Sequence, residues 1–181
     1  AQGTTFLAGH TVLMQFITMI ALVLDAFAHV AEARVGAAYG AKDKHRFDRA
    51  VRLTSEFSVL FAVLCAGIAF VFGPFIIDQI TADPAVRASA RAYLPYCALA
   101  PVVGCLAWQL DGIYIGITRT AAMRNAGVVA VAIYLGAHFW LEPIYGGAGV
   151  WIAFLIYYLA RGLTMLPAWP KIRRELTQLS T

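Results

Sequence analysis

Apolar residues in this chain gather into five long runs, and nearly all of its lysines and arginines fall between them. The runs occupy residues 11–30, 57–77, 92–118, 121–141 and 148–166. Each is about twenty residues or longer, enough for an α-helix to cross a hydrocarbon core roughly 30 Å thick. The third run is the most informative, because the 27 residues between Arg91 and Arg119 carry a single charge, Asp111. The pattern predicts an all-α fold: a polytopic membrane helical bundle of five transmembrane helices, forming a single transmembrane domain over residues 1–181.

Composition agrees, with 61% hydrophobic and 13% charged residues against about 45–50% and about 25% in a soluble domain. The net charge of +4 does not mark a nucleic-acid binder, since the basic residues sit in short stretches between apolar runs and build no single basic face. Their sidedness sets the topology instead. Twelve of the fourteen lysines and arginines, from Arg34 through Arg174, share one side, and only Arg87 and Arg91 lie on the other. By the positive-inside rule the crowded side is cytoplasmic, which puts the C-terminus inside and, with five crossings, Ala1 outside. Arg161, late in the fifth run, is expected to snorkel to the nearer interface. Tyr93, Tyr96, Trp140, Tyr145 and Trp151 fit an outer aromatic belt, and Trp169 an inner one. Cys65, Cys97 and Cys105 all lie inside apolar runs and read as small buried hydrophobes, not as a disulfide framework. The opening AQGTTFLAGH has no initiator Met, basic n-region or cleavage-site pattern, so the chain is expected to be a fragment beginning in an external loop.

Few residues in such a chain can carry chemistry. Asp25, His29 and Glu32 in the first run fall at 0°, 40° and −20° around a helix at about 100° per residue, a narrow strip on one face. A strip of ionisable groups suits a hydrated path for protons, although His29 and Glu32 also lie close enough to the cytoplasmic headgroups to be surface pairs. Asp111 is costly in hydrocarbon unless it is partnered or faces an aqueous interior. It reads either as a transport acid or as a hydrogen-bonding staple, for instance to Tyr114. Pro101 is the kink candidate of the third helix, while Pro95 fits a first turn. The pairs Gly36 with Gly40 and Gly112 with Gly116, each spaced by four, permit close helix packing. Paired metal-ligand spacings, glycine-rich phosphate loops and nucleophile elbows are not found, so neither an enzyme, a metal site nor a resident cofactor is expected.

Three stretches taken together carry a family resemblance: LDAFAHVAEARVGAAYGAKDKHRFDRAVRLT, DPAVRASARAYLPYCALAPV and LDGIYIGITRTAAMRNA. Over residues 7–168 they resemble, in order and spacing, the C-terminal lobe of multidrug and toxic compound extrusion (MATE) transporters, particularly the DinF-like subgroup. The resemblance implies a twelve-helix antiporter of two six-helix lobes, of which this chain would supply the eighth to twelfth helices. Asp25 and Glu32 match the acids of the subgroup's LDxFAxxAE, and Asp111 that of its LDG motif. Gly36, Gly40 and Gly116 match recurrent glycines. The proton-linked aspartate of the subgroup lies in the first helix of the N-terminal lobe, outside this chain. IGITRTAAM departs from the wider RGxGDTRxPM pattern by lacking the Arg-Gly start and the proline.

The implied function is efflux of organic, cationic compounds across the cytoplasmic membrane by antiport, with a proton or sodium as coupling ion and Asp25, His29, Glu32 and Asp111 as exchange candidates. The implied partners are small organic substrates, the lipid bilayer and the N-terminal lobe of the same protein. Two other readings stay open: a lipid-linked oligosaccharide flippase of the same superfamily, and a non-transporting membrane scaffold or truncated gene product.

Overall fold

A computed structural model describes residues 3–179, so the external placement expected for Ala1 lies outside the described residues. Five long helices follow one another: α1 (Thr4–Gly40), α2 (Lys44–Ile80), α3 (Pro84–Gly116), α4 (Thr120–Tyr145) and α5 (Gly147–Met165). All five are long and apolar enough to cross a membrane. A 3₁₀ turn (Leu166–Ala168) then leads into a short helix, α6 (Trp169–Leu179). Every element among the described residues is helical.

The helices run well past the apolar runs, because local chemistry at their ends is strong. The polar stretch after the first run is not a loop. Asp43 caps α2 by accepting from the backbone N–H of Arg46 at 2.9 Å, leaving a turn of three residues between α1 and α2. Asp83 does the same for α3, accepting from Ala85 N at 2.8 Å, with Pro84 in the first turn where its missing N–H costs nothing. Arg87 donates back to the carbonyls of Thr81 and Asp78 at 2.6 and 2.8 Å and so covers the end of α2. Gly146, at φ 57° and ψ −131°, makes the break between α4 and α5 in a conformation that a side chain would oppose. Two boundaries fall short of the expected runs: α3 ends at Gly116, not 118, and Leu166 belongs to the 3₁₀ turn.

α3 is the central helix. It packs against α1, α2, α5 and α4, and its most extensive contact is with α1. That contact is a backbone approach. A Cβ at Gly112 would lie 2.2 Å from the Ala28 carbonyl oxygen, one at Gly116 2.4 Å from that of Glu32, and one at Gly36 2.7 Å from that of Gly116. In lipid, where burial of apolar side chains gives little net drive between helices, such close packing supplies much of the adhesion. Gly40 does not take part, since a Cβ there would meet nothing within 4 Å; it lies at the last turn of α1, beyond the reach of α3, which has ended at Gly116. Pro101 is buried within α3, which continues as helix on both sides of it.

Larger side chains fill the two ends of the bundle. Toward the α1–α2 turn, Phe47, Ile113, Tyr114 and Met165 pack with Ile172 and Leu176 of α6. At the opposite end Trp151 is fully buried against Val12, Ile17, Ile77 and Leu94. Trp151 is therefore a core residue and not part of an interfacial belt, whereas Trp140 and Tyr145 are exposed. Cys97 and Cys105 are buried and Cys65 partly so, all as free thiols.

Candidate functional site

The approach of α1 to α3 fixes the site. Gly112 meets α1 at Ala28, so Asp111, one residue earlier, sits level with the turn of α1 that carries Asp25. The register of that contact leaves Asp25 within electrostatic range of Asp111 and of Tyr158 on α5. Two acids from different helices thus share one region of the membrane interior, drawn together by a glycine that leaves room for the backbone.

They are not equivalent. Asp111 is held by Arg161 of α5, whose Nη2 donates to Oδ1 and Oδ2 at 3.1 and 3.0 Å and whose Nε donates to Oδ2 at 3.2 Å. Both side chains are about a fifth exposed, at 22% and 21%. The planar guanidinium matches a carboxylate in this two-pronged way, and the match is worth more away from bulk water. Arg161 therefore does not snorkel to the interface, as its late position in the fifth run suggested; it turns inward because a carboxylate lies one helix away. Gly127 of α4 leaves the space, since a Cβ there would lie 3.1 Å from Arg161 Nη1. Asp25 is half-buried and makes no hydrogen bond or ion pair with the described residues.

Aromatic rings of α3, α4 and α5 pack on one another along the helices that carry the pair. Trp108 lies against Tyr158 with centroids 4.8 Å apart, and Tyr157 against Tyr134 at 6.2 Å. Such rings present π faces beside the acids.

The strip expected from Asp25, His29 and Glu32 divides. His29 is exposed, and its Nδ1 lies 3.5 Å from Glu32 Oε2 in an (i, i+3) pair whose side chains are 77% and 40% exposed. An ion pair so exposed contributes little to stability. Asp111 is a staple between helices, but its partner is Arg161. Tyr114 donates elsewhere, to the Met165 carbonyl at 2.6 Å, and joins α3 to the end of α5.

Polar contacts between α2 and α3 were not foreseen. Gln109 donates to Thr54 Oγ1 at 2.6 Å, and Ser58 Oγ lies 3.2 Å from Cys105 Sγ, all four residues being buried. The signal was present in the spacing of four between Thr54 and Ser58 and between Cys105 and Gln109, which puts each pair on one helix face. Arg161 could likewise have been matched to Asp111 on the ground that an inward-facing acid needs a cation. α6 was also missed; Ile172 and Leu176, four apart in WPKIRRELTQL, mark its buried face.

Comparison with known proteins gives consistent relatives. The MatE family model matches residues 1–144. The chain is 34% identical over 175 residues to DNA damage-inducible protein F of Escherichia coli (strain K12), a match that covers 97% of this chain and 38% of that protein. It is 25% identical over 165 residues to Protein DETOXIFICATION 43 of Arabidopsis thaliana, covering 90% of this chain and 31% of that one. In three dimensions it is similar to the crystal structure of the eukaryotic MATE transporter AtDTX14, with a TM-score of 0.85, 14% identity, and coverage of 98% of this chain and 41% of the other. The chain thus spans less than two-fifths of the length of these curated relatives.

Proposed function

Because the chain belongs to the MatE family of membrane transporters, we propose that it forms most of one lobe of a longer antiporter, exporting small organic cations across the cytoplasmic membrane in exchange for protons. A second lobe of the same protein faces it across the transport path, and its C-terminus is cytoplasmic, as the distribution of basic residues favours.

One observation carries the reading: two interior acids lie close together, and only one of them has a cation. Arg161 already balances Asp111. Asp25 is the acid left to bind either a proton or a cationic substrate, and it cannot bind both, because a proton removes the charge that attracts the cation. Where the site opens alternately to the two sides of the membrane, that exclusion couples the two fluxes. Trp108, Tyr134, Tyr157 and Tyr158 supply apolar and π contact to the organic part of the substrate, and few other charges compete. His29 and Glu32 lie about 6 Å and about 10 Å further along α1 from Asp25. They are the next groups able to pass a proton toward cytoplasmic water.

The test is export of ethidium from a pump-deficient strain expressing the full-length protein. Export should stop on addition of a protonophore and persist when sodium is omitted. Dependence on sodium alone would replace the proton with sodium as the coupling ion, and absence of export above the empty vector would remove the organic-cation reading.

A further inference from the structure

Where α1 turns into α2, the two helices part and leave a groove of about 630 Å³. Phe27, Leu53 and Phe57 supply apolar wall, and Arg34, Arg46 and Arg49 also line it. Arg46 is paired with Asp43 at 3.2 Å, but its side chain is 78% exposed and the pair is correspondingly weak. Arg34 and Arg49 are exposed and have no ion pair or hydrogen bond with the described residues. Asp43 is the one acid paired with these three cations among the described residues, so two of their charges stay unpaired. Thr54, a further polar residue of the lining, already donates to the Ala50 carbonyl at 2.8 Å.

The order of residues along both helices is the same. On α1 the path from Arg34 to Phe27 covers about 10 Å, and on α2 the path from Arg49 to Phe57 about 12 Å, the basic residue in each case being nearer the turn. Phe57 opens the apolar run 57–77, and Phe27 lies near the end of the run 11–30. The groove therefore crosses from the polar boundary into hydrocarbon, basic above and apolar below. A soluble anion would satisfy the arginines and leave the apolar walls wet. An amphiphile with a negative head satisfies both.

We propose that this groove binds an anionic phospholipid, with its phosphate among Arg34, Arg46 and Arg49 and an acyl chain against Phe27 and Phe57. It rests on the cytoplasmic orientation given above and is independent of what the protein transports. Basic pockets between membrane helices suit such headgroups, each Lys or Arg adding attraction to an anionic lipid.

The experiment is native mass spectrometry of the full-length protein in mild detergent, incubated with dioleoyl phosphatidylglycerol or dioleoyl phosphatidylcholine. The wild type should retain phosphatidylglycerol in preference, and the R34Q/R49Q variant should lose roughly tenfold of that preference. K171Q/R174Q, which removes two exposed cations outside the groove, should keep it, and so should R34K/R49K. Phe57→Ser, with all charges in place, should weaken retention of the lipid. Equal loss in R34Q/R49Q and K171Q/R174Q would mean attraction by diffuse charge and would overturn the site. Equal retention of the two lipids by the wild type would do the same, including the case in which another part of the protein fills the groove. Failure of the orientation is separable, because it shows in side-specific labelling of positions 44 and 85 and leaves detergent binding unchanged.

Discussion

Arg161 on α5 grips both carboxylate oxygens of Asp111 on α3, at 3.0 and 3.1 Å from a single Nη2. The pair ties two helices that flank the proposed path, and it separates a satisfied acid from the unsatisfied Asp25. Removing either partner leaves a charge without its match, at a cost of about 1.5–3 kcal/mol for a charged hydrogen bond. Asp111→Asn and Arg161→Gln should each lower the thermal stability of the detergent-solubilised protein, while the double variant should lose less than the sum of the two. Fluorescence-detected size exclusion after heating measures this. Strict additivity would mean that the pair contributes nothing as a pair.

The glycines of the α1–α3 contact should respond to substitution very unequally. Gly112→Ala and Gly116→Ala push a Cβ to within 2.2 and 2.4 Å of backbone oxygens on α1, which a backbone cannot yield without the helices separating. Folded, monodisperse yield should fall sharply for both. Gly40→Ala meets open space and should be neutral or stabilising by up to about 1 kcal/mol through helix propensity. Comparable yields for all three would contradict the close approach that brings Asp25 level with Asp111.

Lys44 and Ile80 are the two ends of one helix, α2. In a background with Cys65, Cys97 and Cys105 replaced, a cysteine at position 44 should therefore react only with reagent on the cytoplasmic side, and one at position 85 only from outside. Labelling of both from the same side would break the five-crossing topology.

The five crossings were legible because hydrocarbon enforces one rule on every residue it touches, and long uncharged runs follow directly from it. Helix ends were less so. AKDKHRFDRAVR reads as a loop by polarity, but Asp43 caps a helix there and the charges lie along its surface. The resemblance matched Asp25, Asp111 and the glycines to family motifs, yet a motif does not say which glycine meets a backbone. Gly36, Gly112 and Gly116 do, while Gly40, identical in spacing, does not. Asp111 was recognisable as needing a partner, but partners between helices depend on register, which a single sequence does not carry. Arg161 lies fifty residues away, and its position near a helix end supported snorkelling equally well until α3 and α5 were placed side by side. His29, about 40° around α1 from Asp25, is exposed and pairs with Glu32, as the surface reading of that stretch allowed.

The central claim is that Asp25 exchanges a proton for the substrate cation, and it is tested most directly by Asp25→Asn in the full-length protein reconstituted into proteoliposomes. Asn occupies the space of a protonated acid, so the variant should insert in wild-type amounts. Transport of ethidium driven by an imposed pH gradient should fall by roughly tenfold or more and lose its dependence on pH, because the group that alternates between charged and neutral is gone. Wild-type rates with wild-type pH dependence, at equal amounts of inserted protein, would contradict the account and leave Asp25 a structural residue.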